Sequence, residues 1–347
     1  MPTFLPGVQL ARLFYAEAVR PLLGDLPHAA ARVGPGSDVL GYDSPRSTDH
    51  DWGPRLEVFL APGADPAALS ERLSHQLPKR FRGWSTHFAP PGARVRSMAD
   101  TDGPVAHYVT VTEVGAFFGG LLGFDPRAGV GVRDWLATPW QRFAEVTGGA
   151  VFHDDLGELS AVRRRLRWYP DDLWRYVLAC QWTRIGQEEA FVARAAEAGD
   201  EFGSRLIAAR LCREVARLVL LLGRAWPPYE KWLGSAVAAD PAAVHLLAAM
   251  RSAGIDGREA ALCAAYETAG ERQNALGIAA VVPATRRSFF DRPFQVIGAD
   301  RFAAALRDAI TDPRVRAFPL TGAVSQVVDC VDVLGDFRHA QPTINLG

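Results

Sequence analysis

Gly36-Ser37, eleven further residues, Asp49-His50-Asp51, and then Arg55-Leu56-Glu57-Val58-Phe59-Leu60: this stretch decides how the chain is read. The last six residues predict a strand, and along a strand residues two apart share a face. On such a strand Asp49 and Asp51 point together while His50 turns away. Two adjacent carboxylates repel, and a divalent cation relieves the repulsion. Ligands that are all oxygen suit magnesium or manganese, which bind a few carboxylates together with the phosphates of a substrate. Upstream, Gly36 lets the backbone come close to a ligand, and Ser37 adds a hydroxyl to the N–H donors that hold a phosphate. Ala29-Ala30-Ala31-Arg32-Val33 predicts a strand leading into that turn. Each piece alone has a plainer reading. Asp-x-Asp on an exposed strand is a solvated face, and Gly34-Pro35-Gly36-Ser37-Asp38 is an ordinary surface turn, with Asp38 or Asp43 closing an Asx turn.

Taken together, these residues resemble the signature of the nucleotidyltransferase superfamily, whose catalytic head is similar to the palm of DNA polymerase β. A longer string, Gly34 to Asp38 through Ser47-Thr48-Asp49-His50-Asp51-Trp52-Gly53, with Tyr229-Glu230-Lys231-Trp232-Leu233-Gly234 far downstream, resembles a poorly characterised bacterial branch bearing a domain of unknown function. In that branch such a head is joined to a helical C-terminal domain, as in the antibiotic nucleotidyltransferases. The resemblance implies an α+β fold, a mixed sheet with helices, followed by an all-α bundle. It implies Mg2+ or Mn2+ held by Asp49, Asp51 and a third carboxylate, with ATP or another nucleoside triphosphate as co-substrate. The third carboxylate is expected on or just after a later strand. Glu113, at the end of Tyr108-Val109-Thr110-Val111-Thr112-Glu113, is the candidate; its other reading is an acid at a helix start. The implied reaction is attack of an acceptor hydroxyl on the α-phosphorus with release of pyrophosphate.

Further residues are candidates within that chemistry. Glu188, in Gln187-Glu188-Glu189, is a candidate general base, and Asp154-Asp155 offers two more acids. Lys231 is a compact ammonium suited to a β- or γ-phosphate, or a lysine laid along Trp232. Asn274 is a candidate nucleotide ligand or a turn cap, and His50 and His107 read as structural.

Composition narrows the classes. With 38 basic and 39 acidic residues the net charge is −1, which argues against a nucleic-acid partner, since that affinity needs a basic face. Lysine occurs only at Lys79 and Lys231. Four cysteines without a C-x-x-C pair suggest neither zinc nor a disulfide framework, and point to a reduced, cytoplasmic compartment. No signal segment or membrane span is expected. P-loop, G-x-G-x-x-G and G-x-S-x-G patterns are missing, as is, within the helical tail, the Arg-x4-6-His motif of helical ribonucleases. A chain of 347 residues is long enough for two domains: a catalytic domain over 1–125 and a helical domain over 126–347. Helices are expected at 10–23, with Pro21 marking a start or break, and at 66–77, entered through Asp65-Pro66. Strands are expected at 83–89 and 105–112. Beyond Gly131 apolar spacing of three and four predicts helices at 134–146, 170–197, 201–222, 242–252, 258–276 and 300–310. Small-molecule transfer is the first reading; a nucleotide sensor without transfer, or a protein- or tRNA-modifying transferase, are the alternatives.

Overall fold

The computed structural model describes residues 2–90, 92–93 and 95–344. Two compact units emerge: Met1–Val130 with Arg142–Arg167, and Gly131–Gln141 with Trp168–Gly347. The sequence predicts one crossing, after residue 125. The chain crosses three times, because a strand at 150–154 belongs to the first sheet.

The first unit opens with α1 (Gly7–Phe14), a π-helical turn (Tyr15–Val19) and α2 (Arg20–Leu23). Pro21 therefore sits just past the π turn, inside a helical run that continues from Gly7 to Leu23. The π turn changes the hydrogen-bond register just ahead of it. A four-stranded sheet follows, built from β1 (His28–Arg32), β2 (Arg55–Leu60), β3 (Tyr108–Thr112) and β4 (Ala150–Asp154), in the order β3-β2-β1-β4. β1 is antiparallel to β2, with Ala30 opposite Val58. β3 runs parallel to β2, with Arg55 beside Tyr108 and Phe59 beside Thr112. β4 is antiparallel to β1; Ala30 pairs with His153 and Ala31 with Val151, so Phe152 is the extra residue of a bulge.

All six residues of β2 are buried because both faces of the sheet are covered. Leu56, Val58 and Leu60 pack with Leu10 and Phe14 of α1 and with Leu69 and Leu73 of α3 (Pro66–Gln76). On the opposite face Phe59 meets Phe117 of α4 (Val114–Leu122) edge-on at 5.2 Å. Each such apolar side chain contributes about 1.5–3 kcal/mol on burial, and Leu56→Ala would cost about 2–5 kcal/mol. The Asp65 carboxylate caps α3, accepting from the Ala67 and Ala68 amides as its sequence position suggests. The strand expected at 83–89 is instead divided between two short hairpins, Arg80–Phe81 with Trp84–Ser85 and Phe88–Ala89 with Ser97–Met98.

The second unit is helical apart from one pair of two-residue strands among its described residues. The helix expected over 134–146 is broken by Thr138-Pro139 into α5 (Val132–Ala137) and α6 (Trp140–Thr147). α6 from Arg142 onward and α7 (Glu158–Arg165) belong to the first unit. The run from Pro170 divides into α8 (Asp171–Gly186) and α9 (Phe191–Glu197). α10 (Glu201–Leu222) matches its expected range, and α11 (Glu230–Val237), α12 (Ala242–Arg251), α13 (Ile255–Ala275) and α14 (Asp300–Asp308) follow. Trp182 anchors this unit, stacked on Phe302 at 4.6 Å, with its indole N–H donating to Gln273 at 2.6 Å. No described helix is long and apolar enough to cross a membrane.

Candidate functional site

The connection between β1 and β2, residues 33–54, carries the whole Gly-Ser and Asp-His-Asp stretch. Four buried charged side chains hold its first turn from beneath. Arg32 donates to both oxygens of Asp38, at 2.7 and 3.0 Å, and reaches Glu57 at 3.2 Å. Arg55 Nη2 donates to Asp38 at 3.1 Å. Both arginines also donate to the Pro35 carbonyl, at 2.7 and 3.0 Å, and the second Glu57 oxygen accepts from the Val33 amide. Two positive and two negative groups therefore balance inside the protein while fixing the backbone of the turn. Charge-assisted bonds of this kind are the strong ones. Burial pushes the Glu57 carboxyl up to about 7 against the pull of Arg32.

Gly36 lies directly over this network with φ +151°. A Cβ there would stand 2.2 Å from Arg55 Nη2, 2.2 Å from Asp38 Oδ1 and 2.4 Å from Arg32 Nη2. Glycine is therefore required first by close approach to the protein's own side chains. Ser37 is half-buried, and its carbonyl accepts from the Tyr42 amide.

The two acids do not lie on the strand. Asp49 ends a 3-10 turn, Pro45–Asp49, and β2 starts only at Arg55. The expectation that strand geometry aligns them is thus corrected: a loop presents them. Asp49 is 57% exposed and pairs with His50 at 2.9 Å. Asp51 has φ +46°, a left-handed conformation uncommon for a non-glycine residue and tolerated best by Asp and Asn. Its amide donates to the Arg96 carbonyl, and its Oδ1 accepts from the Arg96 amide and the Tyr108 hydroxyl, both at 3.1 Å. Burial and the Asp51 charge push the Tyr108 hydroxyl up, which keeps it a donor. Two guanidinium groups stand over the Tyr108 ring, Arg96 at 3.6 Å and Arg55 at 5.2 Å from its centre. Arg55 and Tyr108 thus connect the Gly-Ser turn to Asp51. Just beyond, buried Trp52 donates to Asp43 at 2.9 Å, and Asp43 also accepts from the first amide of α1. This anchors the loop at its C-terminal side.

Glu113 is not beside Asp51. Arg55 aligns with Tyr108 in the parallel pair, so Asp51 meets the start of β3, whereas Glu113 follows its end and precedes α4. Five extended residues separate the two points by roughly 16 Å. The helix-start reading of Glu113 is the one the structure supports. Among the described residues Asp49, Asp51 and Glu113 do not gather three ligand atoms. Asp49 and Asp51 offer only oxygen donors, the kind magnesium takes together with substrate phosphates, and no third carboxylate joins them in a cluster among the described residues.

Asp154 ends β4 and Asp155 follows it in the first unit, whereas Asn274, Glu188 and Lys231 lie in the second. Both polar atoms of the Asn274 amide clasp the Val282 backbone, at 2.7 and 3.0 Å, so its nucleotide role is replaced by a structural one. Glu188 pairs with Arg210 at 3.3 Å. Lys231 is exposed with its ammonium 4.8 Å above the Trp232 ring. His107, in the first unit, accepts from the Val109 amide and bonds the Ser70 carbonyl at 2.9 Å; burial pushes its pKa down, as a structural histidine requires. The sequence reading passes over Arg32, Asp38, Arg55 and Tyr108 as site residues. A usable signal exists: arginine at the facing ends of two largely apolar strands, flanking an acid in the intervening turn, with a further acid, Glu57, inside the second strand.

Three comparisons bear on this geometry. A family described as a domain of unknown function, DUF4037, matches residues 135–233. No curated protein matches the chain. A solved structure described as a nucleotidyltransferase-like protein from Exiguobacterium sibiricum is similar at 15% identity, covering 78% of this chain and 79% of that one with a TM-score of 0.29. A score of that size leaves the functional reading to rest on the chain's own geometry, and over residues 135–233 the chain is similar to a family of uncharacterised function.

Proposed function

We propose that the first unit is a nucleotidyltransferase head that moves a nucleoside monophosphate, AMP first among those to be tested, from a magnesium-bound triphosphate to a hydroxyl of a small molecule. One observation carries this reading. A glycine-serine turn, cinched by the Arg32–Asp38–Arg55 network, is joined through Arg55 and Tyr108 to an oxygen-rich loop bearing Asp49 and Asp51. In this reading the Gly36-Ser37 backbone and the Ser37 hydroxyl hold phosphate oxygens, and Asp49 and Asp51 supply the ligands for one Mg2+ or Mn2+. An ion held there would supply charge neutralisation to the phosphate oxygens. Tyr108 and the Arg96 backbone orient Asp51, and the Arg55 and Arg96 guanidinium groups set a positive field beside it.

Asp51→Asn tests the proposal. The amide keeps an oxygen for the Arg96 amide and the Tyr108 hydroxyl, so the fold is retained. Magnesium-dependent binding of ATP, GTP, CTP or UTP, read by calorimetry, disappears, or pyrophosphate release falls by about 10²–10³-fold. Unchanged binding and turnover in a folded variant refutes the site. A second reading has its own support: Tyr108, not a carboxylate, faces Asp51. A head that binds nucleotide without transfer would show magnesium-dependent affinity but no pyrophosphate release with any acceptor.

A further inference from the structure

The opposite end of β1 carries a second constellation, unrelated to the Gly-Ser turn. His28 begins β1, and the register with β4 places His153 opposite Ala30, two residues along from His28. Since residues 28 and 30 share a face, His153 lies diagonally beside His28; their ring centres are 4.6 Å apart. The Asp155 amide donates to the His28 carbonyl at 3.1 Å, which brings Asp155, two residues past His153, onto the same face. One ligand atom from each of His28, His153 and Asp155 lies within 4.8 Å of the others, the only such trio among the described residues.

The surroundings prepare these groups. His28 Nδ1 lies 2.7 Å from the Leu26 carbonyl, which can only accept, so that nitrogen carries the proton and Nε2 presents its lone pair to the cluster. Nε2 is 2.9 Å from the Tyr15 hydroxyl. Tyr15 opens the π-helical turn of Tyr15–Val19, a local irregularity common at functional sites, and the β4 bulge at Phe152 lies beside the same cluster. Asp155 reaches His153 Nε2 at 2.7 Å and is about half exposed, leaving an entry from solvent.

We propose that His28, His153 and Asp155 form a binding site for a divalent transition metal, zinc by the chemistry of two imidazoles and one carboxylate, with the Tyr15 hydroxyl or water as fourth ligand. Such N2O sets suit zinc, cobalt and nickel far better than magnesium, which sets this site apart from the Asp49–Asp51 loop. The ion would tie the start of β1 to the end of β4. No part of this depends on nucleotide transfer.

The test is titration of untagged, chelator-treated full-length protein with Co2+, read by visible absorption, followed by displacement with Zn2+. The expected result is one cobalt per chain with the bands of four-coordinate geometry, and a rise in the thermal midpoint on adding zinc. His153→Ala and Asp155→Asn, both at partly exposed side chains, should weaken uptake by at least about tenfold to a hundredfold, whereas Asp51→Asn should leave it unchanged. Absence of stoichiometric cobalt in the folded wild type, or equal uptake by the two cluster variants, overturns the proposal.

Discussion

Replacing Gly36 by alanine probes whether the buried charge network holds the turn. The added Cβ would stand 2.2–2.4 Å from three charged atoms, too near for any of them to stay. Moving one guanidinium or carboxylate breaks a buried pair, at about 3–5 kcal/mol, and the glycine-like backbone adds about 1–2 kcal/mol. Gly36→Ala should therefore lose about 4–7 kcal/mol, a large part of the 5–15 kcal/mol typical of a domain. Gly41 supplies the matched control. It lies in the same loop at φ +74°, and a Cβ added there would meet nothing within 4 Å, so Gly41→Ala should lose only the backbone cost of about 1–2 kcal/mol. Urea unfolding monitored by tryptophan fluorescence measures both. With a slope near 2 kcal/mol per molar, the midpoint of Gly36→Ala falls by about 2–3.5 M and that of Gly41→Ala by about 0.5–1 M. Equal losses in the two variants would refute the claim that the Arg32–Asp38–Arg55 network fixes the turn.

Other consequences can be measured on the same protein. Glu57 binds its proton more tightly folded, at about 7, than at its ordinary value of 4.5; its contribution is full below 4.5 and is lost as pH rises through 7. Stability should thus fall by up to about 3 kcal/mol across that window, and Glu57→Gln, compared with the wild type by urea unfolding at pH 5 and pH 8, should flatten the decline. Tyr108→Phe removes the hydroxyl that orients Asp51; a lost bond to a charged acceptor, worth about 1.5–3 kcal/mol, should weaken magnesium-dependent nucleotide binding by roughly tenfold or more, with no change if Asp51 is not a ligand. Asn274→Ala leaves the Val282 amide and carbonyl without their clasp and should lower stability by about 1–3 kcal/mol in thermal unfolding, leaving nucleotide affinity unaltered.

Sequence pattern discloses the elements whose burial is periodic. α10 has its expected limits because Asp200 caps its start and Gly223 follows its end, with apolar spacing between them. β2 is legible as an apolar run, but its start is not: Asp49 and Asp51 look like strand residues until Trp52 and Gly53 turn the backbone into the core. β4 is hidden because Val151-Phe152-His153 is only three residues of a bulged edge strand, whose partner lies about 120 residues upstream. Glu113 lies apart from Asp51 for a reason of direction. Without knowing that β3 runs parallel to β2, nothing in the sequence says which end of β3 meets Asp51. The buried charges escape a linear reading because pairing, which such a reading does not reveal, is what makes Arg32 and Asp38 tolerable inside the protein.

The interleaved path of the chain sets an order on synthesis. A nascent chain released after residue 130 holds β1, β2 and β3 but not β4, so β1 is left as an open edge bearing unpaired N–H and C=O groups, the kind of surface on which chains associate. The ribosome must emit residues 131–141, which belong elsewhere, before it supplies the strand that closes that edge. A fragment cut at residue 125 would thus be poorly soluble for a topological reason, and one extended through Arg167 would carry its own protection.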